Sequence, residues 1–316
     1  MKILLISPTQ SGIGGIAQHV QGLTKFLKKK GYCVEITSSE NTFTIPIKGL
    51  KNTSFMISSF LKTKFNKDHD IVHAHNISSA LAMKNIKGKK ILSIHGIFSN
   101  QINDLHGKTL ASISSKYEKN ALKWADAITV ISKEAFDYYT NLGYNVFQVP
   151  NAIDISSLET NVDKRYSKQI IFAGRLSHEK GIDSLISISQ KLTDDIHLII
   201  LGAGPEEEKI NHLVKNYNNI HFFGYQNKNQ TISLIRGSDI LIQPSLYEGI
   251  SSTILEAMAC KTAIIASDVG GNSELIENNV NGIIIKPHNI DSFVEQINNL
   301  FHNKKLRKLL VDNALK

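Results

Sequence analysis

The stretch Gln243–Glu256 (QPSLYEGISSTILE) holds two carboxylates, Glu248 and Glu256, eight residues apart. Gly249, Ile250, Ser251, Ser252 and Thr253 lie between them, and an apolar run of Ile254, Leu255, Ala257 and Met258 begins there. Small hydroxyl residues cap helices, so the first part reads as a loop and the second as a helix start. A helix start leaves backbone N–H groups unpaired and carries the positive end of the helix dipole, which suits a phosphate. Glu248 then sits on the loop and Glu256 within the helix. One carboxylate can face a reacting group while the other accepts hydrogen bonds from hydroxyls. The bland alternative is a capped surface helix with two solvated glutamates.

A second group follows the apolar run Gln169–Ala173. Arg175 and Lys180 lie five residues apart in the turn GRLSHEKG (174–181). Arg can clamp a diphosphate in a bidentate way, and Lys adds a point charge. Only four Arg occur in the chain. A loop of solvated charges is the alternative. In the first half, Gly12, Gly14 and Gly15 stand where a first strand meets a first helix, and glycines there let backbone approach a ligand. SGIGGIAQ is not the dinucleotide pattern GxGxxG, and no acidic residue follows at the ribose-binding spacing. Three histidines end strands. His73 and His75 share one strand face and raise a metal site, but with no third ligand or carboxylate nearby in sequence the expectation is none. His95, before Gly96, is the better working group, with its ring expected to be exposed beside flexible backbone. A structural histidine is the alternative.

The elements that position these groups alternate. Lys2–Ser7, Tyr32–Thr37, Asp70–His75, Lys90–His95 and Ala127–Ile131 read as strands, and Ile16–Lys30 and Lys116–Trp124 as helices. Residues 41–67 are the least readable part. Val149–Pro150–Asn151–Ala152 breaks the pattern and marks a domain boundary near residue 150. Strands then resume at Gln169–Ala173, Ile196–Leu201, Ile220–Phe223, Ile240–Ile242, Thr262–Ser267 and Gly282–Ile285, most ending in a glycine turn. Helices between them imply two parallel, doubly wound sheets joined near residue 150, with a cleft between their strand ends.

Composition bounds the class. The chain has 316 residues, 41% hydrophobic and 20% charged, as expected of a soluble two-domain protein. No apolar run is long enough to cross a bilayer, and no signal-peptide pattern opens the chain. Cys33 and Cys260 read as buried small hydrophobes, so the expected compartment is the cytoplasm. Residues 1–150 hold 19 Lys, no Arg and 9 acids, a net of +10, while residues 151–316 have a net of −2. A basic face admits a peripheral contact with an anionic membrane; a solvated lysine-rich surface is the alternative. Nucleic acid is not expected, since Arg is absent from the basic half and no zinc or RNA-binding signature occurs.

Taken together, GIGG (12–15), HG (95–96), VPNAID (149–154), FAGRLSHEKG (172–181), LGAGP (201–205), PSLYEGISSTILEAMA (244–259) and ASDVGGNSELI (266–276) resemble the GT-B, family 4 retaining glycosyltransferases. The resemblance runs in order along almost the whole chain, and Glu248 with Glu256 reproduces the family's E-x7-E signature. It implies transfer of a sugar from a UDP- or GDP-sugar to a glycan or lipid-linked glycan with the anomeric configuration kept. No metal or cofactor is implied. By position, Arg175 and Lys180 would hold the donor diphosphate, with Gly14 and Gly15 approaching it from an acceptor-binding domain, residues 1–150. In a nucleotide-sugar domain, residues 151–316, the N–H groups of Gly249 to Thr253 would cradle the same phosphates and Glu256 would bind the ribose. Glu248 would support positive charge at the anomeric carbon, and His95 would hydrogen-bond the transferred sugar. Backbone near Gly224 and Tyr225 would meet the base. Domain closure would expel water.

Ala152, Ala203, Ile250–Ser251 and Lys261 depart from the family's usual Gly, Asp, Phe–Gly and Gly, and none removes a charge the chemistry needs. The family usually ends in a helix crossing back onto the first domain, and a chain stopping at Lys316 is expected to lack it. The expected role is bacterial surface polysaccharide or glycolipid synthesis, on the cytoplasmic face of the membrane. Competing classes are a GT-B epimerase or phosphorylase, and a non-catalytic sugar-nucleotide or polyanion-binding protein.

Overall fold

The computed structural model describes residues 1–10, 15–47, 50–65, 68–96 and 108–315, and only the backbone of residues 108–114 and 157. Gly12 and Gly14 therefore lie outside the described residues. The chain divides into two compact units, Met1–Asn151 and Ala152–Lys316. Each is a six-stranded sheet in which every described pairing is parallel, flanked by helices.

Unit 1 runs β1 (Lys2–Ser7), α1 (Gly15–Lys29), β2 (Cys33–Ser38), α2 (Lys51–Lys64), β3 (Ile71–His75), α3 (Ala80–Met83), β4 (Lys89–Ile94), α4 (Lys108–Lys123), β5 (Ala127–Val130), α5 (Lys133–Asn141) and β6 (Val146–Gln148). The strand order is β2-β1-β3-β4-β5-β6. Alternation along β1 decides its two faces. Leu4 and Ile6 join Val72, Leu92, Ile94, Ile128 and Val130 in one core, while Ile3 and Leu5 meet Val20, Ile16, Leu23 and Leu27 of α1. The 3.6-residue spacing read from the sequence is what turns those α1 side chains onto the sheet. Three details differ from the sequence reading. The stretch 41–67 contains the helix α2, whose Phe55, Ser59 and Thr63 are buried. The short strand β6 precedes the break at residue 149. Cys33 is exposed, because it opens the edge strand β2; only Cys260 is buried.

Unit 2 runs β7 (Gln169–Ala173), α6 (Ile182–Ser189), β8 (His197–Leu201), α7 (Glu207–Val214), β9 (Ile220–Phe222), α8 (Lys228–Gly237), β10 (Ile240–Gln243), α9 (Ser252–Ala259), β11 (Ala263–Ser267), α10 (Asn272–Leu275), β12 (Ile283–Ile285), α11 (Ile290–His302) and α12 (Lys304–Ala314). Its order is β12-β11-β10-β7-β8-β9. Ile170 and Phe172 point to one helix layer with Leu198, Ile200, Ile240 and Ile242; Ile171, Ile199, Leu201, Leu241 and Ile264 point to the other. Burying each such side chain contributes about 1.5–3 kcal/mol, which is why strands covered on both faces are apolar throughout.

Parallel pairing brings the carboxyl ends of β7, β8, β10 and β11 to one edge. Their turns are locked together through backbone. Glu179 carbonyl accepts N–H groups from Leu246 (2.9 Å) and Tyr247 (3.3 Å). Gly181 has φ +69°, and a Cβ there would stand 1.9 Å from the Pro244 carbonyl oxygen. Gly270, at φ +47°, packs in the same way on the Glu248 carbonyl. Only glycine allows this left-handed backbone and this approach at once.

Candidate functional site

The site in unit 2 is built on the loop between β10 and α9. Gln243 ends a buried strand, and Ser245 and Glu248 follow on the loop. Both glutamates of the opening motif are buried, Glu248 at 7% exposure and Glu256 at 3%, so the solvated alternative is excluded. Three donors converge on Oε1 of Glu248: Lys180 Nζ at 2.5 Å, Gln243 Nε2 at 2.6 Å and Ser245 Oγ at 2.8 Å. Oε2 receives no hydrogen bond from the described residues. The carboxylate is thus anchored through one oxygen and offers the other. Lys180 comes from the β7 turn, 68 residues away in sequence. Arg175, on the same turn, is exposed and makes no side-chain hydrogen bond or ion pair with the described residues.

Ser251 is the N-cap of α9, and its Oγ accepts the Ile254 N–H at 3.4 Å. The N–H groups of Ser252 and Thr253 have no partner inside the helix and keep the positive end of its dipole open to an anion. Glu256, one turn further, pairs with Lys228 at the start of α8. Burial raises the Glu256 carboxyl above the usual carboxylate range, and the Lys228 cation offsets part of that rise. Around the same strand ends, Ser177 Oγ, Gln243 Oε1, Ser267 Oγ and Asn272 Oδ1 are buried without partners among the described residues. Each costs about 1–3 kcal/mol unless a ligand or water meets it. Gly224, at φ +65°, ends the β9 turn, its carbonyl accepts the Gly202 N–H at 2.9 Å, and Tyr225 is 55% exposed. A cavity of about 610 Å³ lined by Asp163, Arg165, Phe223, Gln226 and Gln230 contains none of the predicted site residues. Hydrogen-bond donors and buried orphan atoms, rather than cavity size, make the Glu248 edge the candidate site.

Unit 1 carries a separate cluster at the ends of β3 and β4. Gly15, predicted to meet the donor, opens α1, and no atom of the described residues lies within 4 Å of where a Cβ would be. His75 Nδ1 lies 3.3 Å from His95 Nε2, and His19 of α1 stands edge-on to both rings. His73 stacks on His75 and bonds Ser93 Oγ at 2.6 Å. Asn76, at φ +66°, accepts the His95 backbone N–H through Oδ1. His95 is therefore packed among rings rather than exposed as the sequence suggested. The expectation of no third ligand beside His73 and His75 is also corrected. Ring nitrogens of His19, His75 and His95 lie within 4.8 Å of one another, because α1 crosses the strand ends, and such a set could take a transition-metal ion.

Burial, followed by the neighbouring rings, pushes His95 down to about 3 and His73 to about 4, and His75 well below its usual value; His19 is also lowered. The unfolded histidines bind protons near pH 6.5, whereas the folded ones refuse them. This contribution to unit 1 is complete above pH 6.5 and is lost as pH falls toward 3–4. Urea unfolding followed through Trp124, the single tryptophan, should show a midpoint that drops steadily from pH 6.5 to 4. A flat profile in wild type, or an equal slope in His73→Gln/His95→Gln, contradicts this assignment.

The sequence reading missed Gln243, Ser245 and Lys228 as site residues, and His19 beside the histidines. A polar residue closing the apolar run ILI was a signal for Gln243. Lys228 had none, since only folding brings it to Glu256.

Comparison with known proteins supports the fold. Sucrose-phosphate synthase from Thermosynechococcus elongatus superposes with a TM-score of 0.85 at 19% identity, covering 99% of this chain and 93% of that one. Anabaena HepE in complex with UDP-glucose gives 0.74 at 18% identity, covering 100% and 93%. These are GT-B folds, and the two parallel six-stranded units here together match that fold class. An uncharacterized glycosyltransferase of Methanocaldococcus jannaschii is 27% identical over 99% of this chain and 92% of its own length. The alpha-D-kanosaminyltransferase of Streptomyces kanamyceticus is 24% identical over 77% and 70%. The model for glycosyltransferase family 4 matches residues 13–157 and the model for glycosyl transferases group 1 matches residues 159–316, half of the chain, so this protein belongs to the group 1 glycosyl transferases.

Proposed function

We propose that the protein transfers a sugar, with retention, from a nucleotide-sugar to a glycan or lipid-linked glycan, using no metal ion. Unit 2 takes the donor and unit 1 the acceptor. The observation that carries this reading is Glu248, held through Oε1 by Lys180, Gln243 and Ser245 with Oε2 free, beside the open N-terminus of α9. The donor diphosphate lies against the N–H groups of Gly249 to Thr253, with Arg175 and Lys180 as its cations. Glu256 accepts the ribose hydroxyls. As the bond from the anomeric carbon to phosphate breaks, its electron pair leaves on the diphosphate, and the two cations and helix dipole stabilise that charge. Glu248 Oε2 faces the positive charge left on the sugar. The acceptor oxygen bonds the anomeric carbon, and its proton passes to the diphosphate oxygen that has taken the electron pair. His95, held neutral, serves as a hydrogen-bonding group to the sugar rather than as an acid. Retention is supported by the likeness of the Glu248–Glu256 spacing to the retaining enzymes of family 4.

HepE binds UDP-glucose, so UDP-sugars are the first donors to try. Hydrolysis and transfer are measured over UDP-, GDP- and ADP-sugars with EDTA present. One donor is expected to turn over, and turnover is expected to fall by about 10²–10³-fold in Glu248→Gln. Binding without turnover, under a panel of acceptors, makes the protein a sugar-nucleotide binder. No binding of any donor overturns the reading.

A further inference from the structure

An amphipathic helix normally turns its apolar side inward. Helix α2 has apolar side chains on both sides. Its inward line is Phe55, Ser59 and Thr63. At 100° per residue, the opposite pole is occupied by Leu50, Ile57 and Leu61, with Phe65 one step round. Their exposures are 47%, 52%, 53% and 86%. The segment before the helix runs back along it, tied by Ile45 N–H to Ser54 Oγ (2.9 Å) and by Lys62 Nζ to the Asn41 carbonyl (3.0 Å). It adds Phe43 and Ile47, exposed at 75% and 57%. Six exposed apolar side chains thus belong to α2 and the segment tied along it. Lone exposed apolar residues are ordinary, but a contiguous outward line marks an interaction surface.

Charge decides the partner. Residues 41–67 contain five lysines and no Asp or Glu. Lys51 and Lys64 flank the apolar line and are exposed. Protein interfaces are depleted in Lys and enriched in Arg, and residues 1–150 have no Arg. Lysine beside outward Phe, Leu and Ile is instead the composition of a helix lying in a lipid interface. Its apolar side chains enter the acyl boundary while flexible ammonium groups reach the anionic headgroups. We propose that the outward face of α2, with Phe43 and Ile47, docks unit 1 on an anionic lipid bilayer. The helix lies parallel to the surface. Such docking would bring the enzyme to acceptors carried on lipid, but it needs no sugar chemistry and is read without donor, so it can fail independently of the proposed reaction.

The test is flotation of the full chain with phosphatidylcholine vesicles, with and without about one-third phosphatidylglycerol. Wild type should float with the anionic vesicles and stay in solution with the neutral ones. Phe65→Ser should weaken binding by about tenfold, and Lys51→Gln or Lys64→Gln by about fivefold each. Leu50→Ser/Ile57→Ser/Leu61→Ser should abolish it with the Trp124 unfolding midpoint unchanged, since these side chains are exposed. Wild type that ignores anionic vesicles overturns the proposal. So does a triple variant that floats as wild type does. Light scattering after gel filtration covers the other occupant. A dimer of wild type that dissociates in the triple variant, with no vesicle binding, makes this face a contact between two copies of the chain.

Discussion

Lys180→Ala should lower donor turnover by about 10²–10³-fold, the loss typical of one preorganised group facing charge that develops in a transition state. Lys180 has two tasks. Its Nζ holds Glu248 Oε1 at 2.5 Å, and in the proposed reaction it faces the leaving diphosphate. The variant therefore loses a cation and loosens the carboxylate together. Removing one partner of a buried pair costs up to about 3–5 kcal/mol, but the Lys180 side chain is 22% exposed, so solvent screening cuts the expected cost to about 1–2 kcal/mol. Glu248→Gln separates the tasks. Its amide oxygen can keep the hydrogen bonds from Gln243 and Ser245, so its melting temperature should stay near that of wild type while turnover falls as far as in Lys180→Ala. Turnover is measured by release of the nucleotide product, and melting by calorimetry. Near-normal turnover in both variants removes Glu248 and Lys180 from the chemistry.

Gly181→Ala should cost unit 2 about 3 kcal/mol or more, a fall in melting temperature of about 6–12 °C. Two effects add. Alanine at φ +69° costs about 1–2 kcal/mol by itself. Its Cβ would also stand 1.9 Å from the Pro244 oxygen, so the loop bearing Ser245 and Glu248 must move. Turnover should fall with stability, because that loop places the carboxylate. Gly224→Ala is the control, with φ +65° but nothing within 4 Å of the new Cβ. It should show the conformational cost alone. Equal losses in the two variants mean that the contact with Pro244 does not constrain the loop.

Glu248 and Glu256 show how far local pattern reaches. Hydroxyl residues before an apolar run place one glutamate on a loop and the other in a helix, and α9 starts at Ser252 after its Ser251 cap as that reading requires. Apolar strands alternating with 3.6-period segments likewise lead to two parallel sheets. Helix α2 was unreadable because its apolar residues fall on opposite faces, which blurs the period that a half-buried helix normally displays.

The chain's own pattern thus determined its two parallel sheets and its glycine turns. Periodicity reports which face of each element avoids water, and turn chemistry reports where backbone must bend. The partners of the charged groups were decided only in three dimensions. Parallel strands return by crossovers, so strand ends far apart in sequence stand side by side at one edge. That is how Lys180 reaches Glu248, Lys228 reaches Glu256, and His19 joins His75 and His95. Spacing along a chain carries no record of those meetings, because each depends on which strands pair and which way their ends point.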